Sequence, residues 1–370
     1  MQLNQVFATD CAIIVTSCSN EYVPYLSVCL QSLRENSNAK HNYDIIILES
    51  NITRENKNIL QTQLMSKNIS IRFMHINPAV FHADIEKNCK NKHFSKETFY
   101  RILLPMLIPN YKKILYIDVD IIILSDIFQL YKTDLGINTI GACRDAMMNG
   151  WIKADNTMKN HLIYELEVKN VKDYFQAGVM LIDCNKFRED NCEEKLITLV
   201  KTTNMETADQ CILNKYFYKK VSLLDLSWNY ENECTTHKRT KWVNLMDQDI
   251  RLLYLEARKN PRIIHFVGPE KPWFYKEEDF AELWWKYAQN SPFYSEIIER
   301  YNNHRVRHLK MIKENIKLYK FRIIKYKILS SLTFGKKYKY YQDKYINNKK
   351  SVDFLENQLL QIENGAYKDL

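Results

Sequence analysis

Lys112-Lys113-Ile114-Leu115-Tyr116-Ile117-Asp118-Val119-Asp120-Ile121-Ile122-Ile123-Leu124 decides how the rest of this 370-residue chain is read. After its two lysines the stretch is apolar without alternation, as in a strand buried on both faces, and only two aspartates interrupt it. Upstream, residues 12–16, 44–48 and 69–76 are also strand-like. Between them lie helical patterns at residues 22–33, where Leu26, Cys29, Leu30 and Leu33 share one stripe, and at 54–67 and 96–107. Downstream, strands are expected at 139–146, 178–183 and 262–266, with helices at 186–200 and 206–217. Beyond Phe280 only helical patterns remain. Strands alternating with helices of this length predict an α/β fold: a mostly parallel central sheet flanked by helices on both faces.

Composition narrows the function. None of the seven glycines makes a G-x-G-x-x-G or Walker A loop, so a phosphorylated ligand would not be held by a glycine-rich backbone cradle. Nine cysteines, an odd number without any C-x-x-C pair, argue for reduced core thiols over disulfides or structural zinc. Residues 1–10 lack the basic start and apolar run of a signal peptide, and no stretch approaches the roughly 18 apolar residues of a spanning helix. The expected location is therefore cytoplasmic. The net charge of +9 is uneven: residues 305–350 hold fifteen Lys and Arg against Glu314 and Asp343, a local +13, so the remainder carries −4. Leu309, Ile312, Ile316, Tyr319, Ile323 and Tyr326 recur at helical spacing among lysines. This basic amphipathic helix suits an anionic membrane surface. A solvated helix packed on the body is the plainer alternative. Nucleic acid is not expected, because the body is net negative and no nucleic-acid-binding motif is present.

Asp118 and Asp120, two apart in extended backbone, would present both carboxylates on one side. Like charges that close repel, and a divalent cation with a taste for hard oxygen, Mn²⁺ or Mg²⁺, relieves the repulsion. A solvent-facing pair capping a turn is the competing reading, and the apolar flanks weigh against it. His265 ends the strand at 262–266 and leads into Gly268-Pro269-Glu270-Lys271-Pro272-Trp273, where two prolines forbid regular structure. It is either a satisfied core histidine or an imidazole ligand, with Lys271 available to phosphate oxygens. Trp284 and Trp285 read as core anchors. Trp151, in a stretch read as irregular, is the better candidate for an acceptor contact.

Five ordered blocks resemble glycosyltransferase family 8. They are Ser95-Lys96-Glu97-Thr98-Phe99-Tyr100-Arg101, Leu115-Tyr116-Ile117-Asp118-Val119-Asp120, Phe175-Gln176-Ala177-Gly178-Val179-Met180-Leu181-Ile182, Ala208-Asp209-Gln210-Cys211-Ile212-Leu213-Asn214 and His265-Phe266-Val267-Gly268-Pro269-Glu270-Lys271-Pro272-Trp273. The resemblance covers about residues 11–290 and implies a GT-A nucleotide-sugar-binding fold in a catalytic domain 1–290. Residues 291–370 form a helical, basic, membrane-associating or packing region. It implies a UDP-hexose donor, Mn²⁺, and retaining transfer of glucose or galactose to a hydroxyl of a growing bacterial surface glycan, such as lipopolysaccharide or capsule. The enzyme would then work at the inner face of the plasma membrane on a glycan or glycolipid acceptor. By position, Asp118, Asp120 and His265 resemble the metal ligands, and Gly268 and Lys271 the diphosphate loop. Thr16, Asn20, Arg101, Asp118, Gln176, Ala177 and Asp209 match donor-binding positions. Gln210, Asp209 and Asp145 are similar to the catalytic cleft residues, with Gln210 nearest the anomeric centre. Two departures stand out. The loop after the first strand, Thr16-Ser17-Cys18-Ser19-Asn20-Glu21-Tyr22, has serine or asparagine where the family has aspartate, and Gln176 replaces an asparagine. A nucleotide-sugar- or glycan-binding protein with a weakened transferase site is the alternative function.

Overall fold

Four parallel strands open the first unit: β1 (Cys11–Cys18), β2 (Asn42–Glu49), β3 (Ile69–His75) and β4 (Lys113–Ile117). The other elements of the sheets are β5 (Ile121–Ile123), β6 (Ile140–Arg144), β7 (Phe175–Asp183), β8 (Val221–Leu224), β9 (Tyr230–Glu231) and β10 (Ile263–His265). In this computed structural model, which describes residues 3–77, 96–232 and 237–363, the main sheet has the order β3-β2-β1-β4-β7-β6-β8. All its pairings are parallel except those of β7 with β4 and β6. Ile13, Ile14 and Val15 of β1 and Ile45, Ile46 and Ile47 of β2 are buried, as strands covered by helices on both faces must be. A buried Asp44 interrupts β2, answered by the guanidinium of Arg72 on β3 and the Tyr111 hydroxyl.

The chain runs β1, β2, β3 to one side and then crosses to β4 on the other side of β1. That reversal between β1 and β4 is a topological switch point, and open α/β sheets bind ligands at the carboxyl ends of the strands at such a point. A second sheet, β5-β10-β9, stands beside it. Asp118 and Asp120 lie in the bend between β4 of one sheet and β5 of the other. Their convergence thus comes from a crossover between sheets, and not from the side-chain alternation of one extended strand.

Other expectations shift in detail. Residues 186–200 form two helices, Cys184–Glu189 and Cys192–Thr202, broken where Asn191 adopts φ 49°. Trp151 belongs to the helix Ala146–Ala154 and is stacked on Trp242 at 5.1 Å, not placed in an irregular stretch. Gly150 beside it has no room for a Cβ, which would meet the Trp242 carbonyl oxygen at 2.0 Å. Trp284 and Trp285 are buried. Ser95, Cys89 and Cys234, and the side chains of Lys96, His237, Lys238 and Arg239, fall outside the described residues.

The chain divides into two compact units, Met1–Tyr294 and Ser295–Leu370. The second carries the helix that runs from Tyr294 to Ser331 and the helix Gly335–Glu363, which opens on Gly335 at φ 60°. The stripe read as membrane-facing is turned inward here. Ile312 and Ile316 are buried, while Leu309, Tyr319, Ile323 and Tyr326 are partly covered, Tyr326 stacking on Tyr341. Leu318, Phe321, Ile324 and Ile328 are exposed on the other face, and Leu332, just past the helix end, is exposed too. Among the described residues no helix is long and apolar enough to cross a membrane.

Candidate functional site

The site is assembled around an interruption in β7. Its pairing with β6 shifts register between Ala142, opposite Met180, and Arg144, opposite Phe175. Such irregularities often sit beside active sites, where they free backbone groups from the ladder. Here the peptide groups of Ala177 and Gly178 serve four other side or main chains. The Ala177 N–H donates to Gln210 Oε1 at 3.0 Å, and its carbonyl accepts from Arg101 Nη1. The Gly178 N–H donates to Gln176 Oε1 at 2.5 Å, and its carbonyl accepts from the Asp118 N–H at 2.8 Å. A Cβ on Gly178 would lie 2.2 Å from His265 Cε1 and 2.7 Å from Asp118 Oδ2. Only glycine leaves the space in which those two side chains meet.

Asp118, Asp120 and His265 bring one ligand atom each within 4.8 Å of one another. His265, at the end of β10 and 2% exposed, directs Nε2 to within 3.2 Å of Asp120 Oδ1 and 3.9 Å of Asp118 Oδ2. Its Nδ1 lies 3.0 Å from Asn229 Oδ1. Two carboxylates and one imidazole at this separation suit a hard divalent cation, and the glycine-made space beside them is part of that fit. Burial alone would raise the Asp120 carboxyl, yet Lys271 and His265 outweigh it and hold the group well below the usual carboxylate range. Lys271 Nζ donates to Asp120 Oδ2 and to the Phe266 carbonyl, both at 2.5 Å. Gly268, at φ 84°, supplies a backbone conformation that favours glycine and turns the loop bearing Lys271.

A second cluster adjoins the first. Arg101, 5% exposed, lies 3.2 Å from Asp118 Oδ1 and 2.7 Å from Asp209 Oδ2, with its guanidinium 4.6 Å from the centre of the Tyr116 ring. The Arg101 Nε–H is donated to the Thr98 carbonyl. Asp209 Oδ2 is therefore close to the cation but without a hydrogen-bond donor among the described residues. Burial pushes the Asp209 carboxyl up to about 7, against the pull of Arg101. Asp209 starts the helix Asp209–Phe217 after Ala208, whose φ of 51° with ψ of −136° is strained for any residue with a Cβ. Gln210 is pinned at both ends, its Oε1 by the Ala177 N–H and its Nε2 by donation to Asp145 Oδ2 at 2.9 Å. Asp145 also caps the helix Ala146–Ala154, accepting from the Met148 N–H.

The first loop contributes less directly. Thr16 is fully buried on β1, and its hydroxyl has no partner among the described residues. Asn20 spends its side-chain oxygen on the Thr53 N–H and on Asn56. Gln176 likewise commits its carbonyl oxygen to Gly178 and to Asn229, whose Nδ2 donates at 2.7 Å. Sequence reading missed Tyr116, which donates its hydroxyl to Asp118, and Asn229. Asn229 stands in Trp228-Asn229-Tyr230, where no spacing or charge signals it.

The family model described as glycosyl transferase family 8 matches residues 13–277. A putative glycosyltransferase of Haemophilus influenzae is 29% identical over 267 residues, 71% of this chain and 73% of that protein. Among solved structures, the apo bifunctional glycosyltransferase WbbM is 28% identical with a TM-score of 0.71, covering 81% of this chain and 53% of its own. The galactosyltransferase LgtC, in complex with donor and acceptor sugar analogues, superposes with a TM-score of 0.61 at 24% identity, over 76% of this chain and 96% of that one. At that identity the likeness speaks for the fold, which is GT-A.

Proposed function

Because the chain belongs to glycosyl transferase family 8, we propose that it moves a hexose, glucose or galactose, from a UDP-sugar to a hydroxyl of a growing bacterial surface glycan, with retention at the anomeric carbon. The observation that carries this reading is the convergence of Asp118, Asp120 and His265 within 4.8 Å, with Lys271 at its edge. These three residues would hold Mn²⁺, with Mg²⁺ as the alternative hard cation. When bound, the ion supplies Lewis-acid neutralisation of charge on the departing diphosphate.

The protein's own residues do the rest. Lys271 exchanges Asp120 for diphosphate oxygens, which explains how a chain without a glycine-rich cradle binds a diphosphate. Thr16 and Asn20 line the nucleoside side of the donor, and Arg101, Asp118, Gln176, Ala177 and Asp209 the sugar side. Gln210 lies nearest the anomeric carbon. An amide is a poor nucleophile, so retention here does not pass through a covalent enzyme intermediate. The bond from the anomeric carbon to the phosphate oxygen breaks with its electron pair leaving on UDP. The acceptor oxygen bonds on the same face, and its proton passes to the leaving phosphate oxygen. Asp145 holds Gln210 for this step and faces the acceptor, so catalysis is chiefly positioning and electrostatics.

Residues 291–370 take the membrane role in this reading, with Phe321, Ile324, Ile328 and Leu332 as the lipid-facing residues and Lys317, Arg322 and Lys325 beside them for anionic headgroups. The enzyme then works as a peripheral protein on the cytoplasmic face of the plasma membrane. A panel of UDP-sugars assayed for UDP release with and without Mn²⁺ tests the proposal. One UDP-hexose is expected to stand out, with release lost on chelation. Binding of a UDP-sugar without any turnover would favour the glycan- or nucleotide-sugar-binding alternative.

A further inference from the structure

We infer that Asn229 is a positioning residue for the cation site, and that the Gly178 backbone amide, relayed through Gln176 and Asn229, sets which nitrogen of His265 is left for the metal. The inference rests on the cation reading given above. It starts from the one group in the chain of hydrogen bonds whose polarity cannot be reversed. A backbone N–H only donates, so the atom of Gln176 that lies 2.5 Å from the Gly178 nitrogen is its carbonyl oxygen. The same oxygen faces Asn229 at 2.7 Å, which must therefore present its NH₂. That orients the other end of the Asn229 amide, its oxygen, toward His265 Nδ1 at 3.0 Å. An oxygen at that position accepts, so Nδ1 carries a hydrogen and Nε2 is the nitrogen turned to Asp120 and Asp118. Amide and imidazole orientations that are otherwise ambiguous are fixed here in sequence.

Burial makes the relay strict. Asn229 is 1% exposed, His265 2% and Gln176 8%, so no bulk water replaces a lost partner. The Gly178 peptide also accepts from the Asp118 N–H on its other side, and its missing Cβ leaves room for His265 Cε1. One peptide unit thus sets the backbone of one ligand and the tautomer of another. Partners of this kind, behind a metal-bound histidine, orient the ring and raise its basicity, and their loss typically costs about 10–100-fold in metal affinity. Asn229 acts through its neighbours, its amide facing Gln176 on one side and His265 on the other.

The test is Mn²⁺ affinity of the full-length protein, read from the electron paramagnetic resonance of free Mn²⁺, with melting curves recorded in the absence of metal. Asn229→Ala is expected to weaken Mn²⁺ binding by about 10–100-fold. Asn229→Asp keeps an acceptor for Nδ1–H but loses the donor to Gln176 Oε1, so it is expected to bind Mn²⁺ more tightly than Asn229→Ala and more weakly than the wild type, a partial rescue that a packing role would not give. Gln176→Leu, which removes the orienting oxygen, should fall between them. It also carries the test should Asn229→Ala fail to fold. His265→Ala is the control for the underlying reading. If His265→Ala loses Mn²⁺ while a folded Asn229→Ala and Gln176→Leu bind it as the wild type does, the positioning role is overturned and the cation site stands. If His265→Ala binds as tightly as the wild type, the cation assignment falls and this inference falls with it.

Discussion

The helix Val23–Asn36 and the helix that runs from Tyr294 to Ser331 show two different ways of using apolar residues. In the first, every residue from Val23 to Leu33 is buried, polar Ser27, Gln31 and Ser32 included. Ser27 and Ser32 donate to carbonyls one turn back, and Gln31 donates to Glu35. In the second, only Ile297, Tyr301, Ile312, Ile316 and Ser330 are buried over 38 residues, while Phe321 is 66% and Ile324 60% exposed. The helix Val23–Asn36 tolerates Ser27, Gln31 and Ser32 inside because each of the three finds a partner. The second leaves large apolar groups outside among cations, an arrangement that a solitary domain in water gains nothing from. The difference is one of cover: the first helix is enclosed on all sides from Val23 to Leu33, and the second keeps one apolar face open.

The largest effect expected from breaking this division is at Gly178. Gly178→Ala puts a methyl group into the space of His265 and Asp118, and a displacement on the order of 1 Å there costs about 10²-fold in turnover. Mn²⁺ affinity should fall in parallel, with UDP release and metal titration as the two readouts. An intermediate effect is expected on the other side of the comparison. Replacing Lys310, Lys317 and Lys325 together by Gln should weaken binding to anionic vesicles by about 100-fold, at about 1 kcal/mol per charge. Stability should change by less than about 0.5 kcal/mol per position, since all three are exposed. Equal binding to neutral and anionic vesicles by the wild type would remove the membrane role. The smallest effect is at the Lys320–Glu356 pair, 2.7 Å apart and exposed on both sides. Glu356→Gln should cost less than about 1 kcal/mol in a denaturant titration.

The sheet was legible because its strands are written as Ile-, Val- and Leu-rich runs, and the three ligand candidates because carboxylates and a histidine stand out against such runs. What closed the site was not legible. β5, β8 and β9 are two to four residues long, too short for a periodic signature. The register shift opposite Gln176 to Val179 depends on pairing between strands far apart in sequence. Asn229 gains its role only when β9 is brought alongside β10, which no local pattern announces. The inward turn of the Leu309–Tyr326 stripe was missed for a related reason: the same helix carries a second apolar face, and periodicity alone does not say which one finds a partner.

The central claim is that Asp118, Asp120 and His265 hold the cation on which sugar transfer depends. It is tested most directly by UDP release from the preferred UDP-sugar, measured across a Mn²⁺ titration for the wild type and Asp120→Asn, with melting curves for both. The account predicts a saturable Mn²⁺ dependence in the wild type and a loss of about 10³-fold in the variant at every Mn²⁺ concentration, with the fold retained. Turnover in a folded Asp120→Asn protein equal to the wild type's, or a wild type indifferent to Mn²⁺ and its chelation, would contradict it.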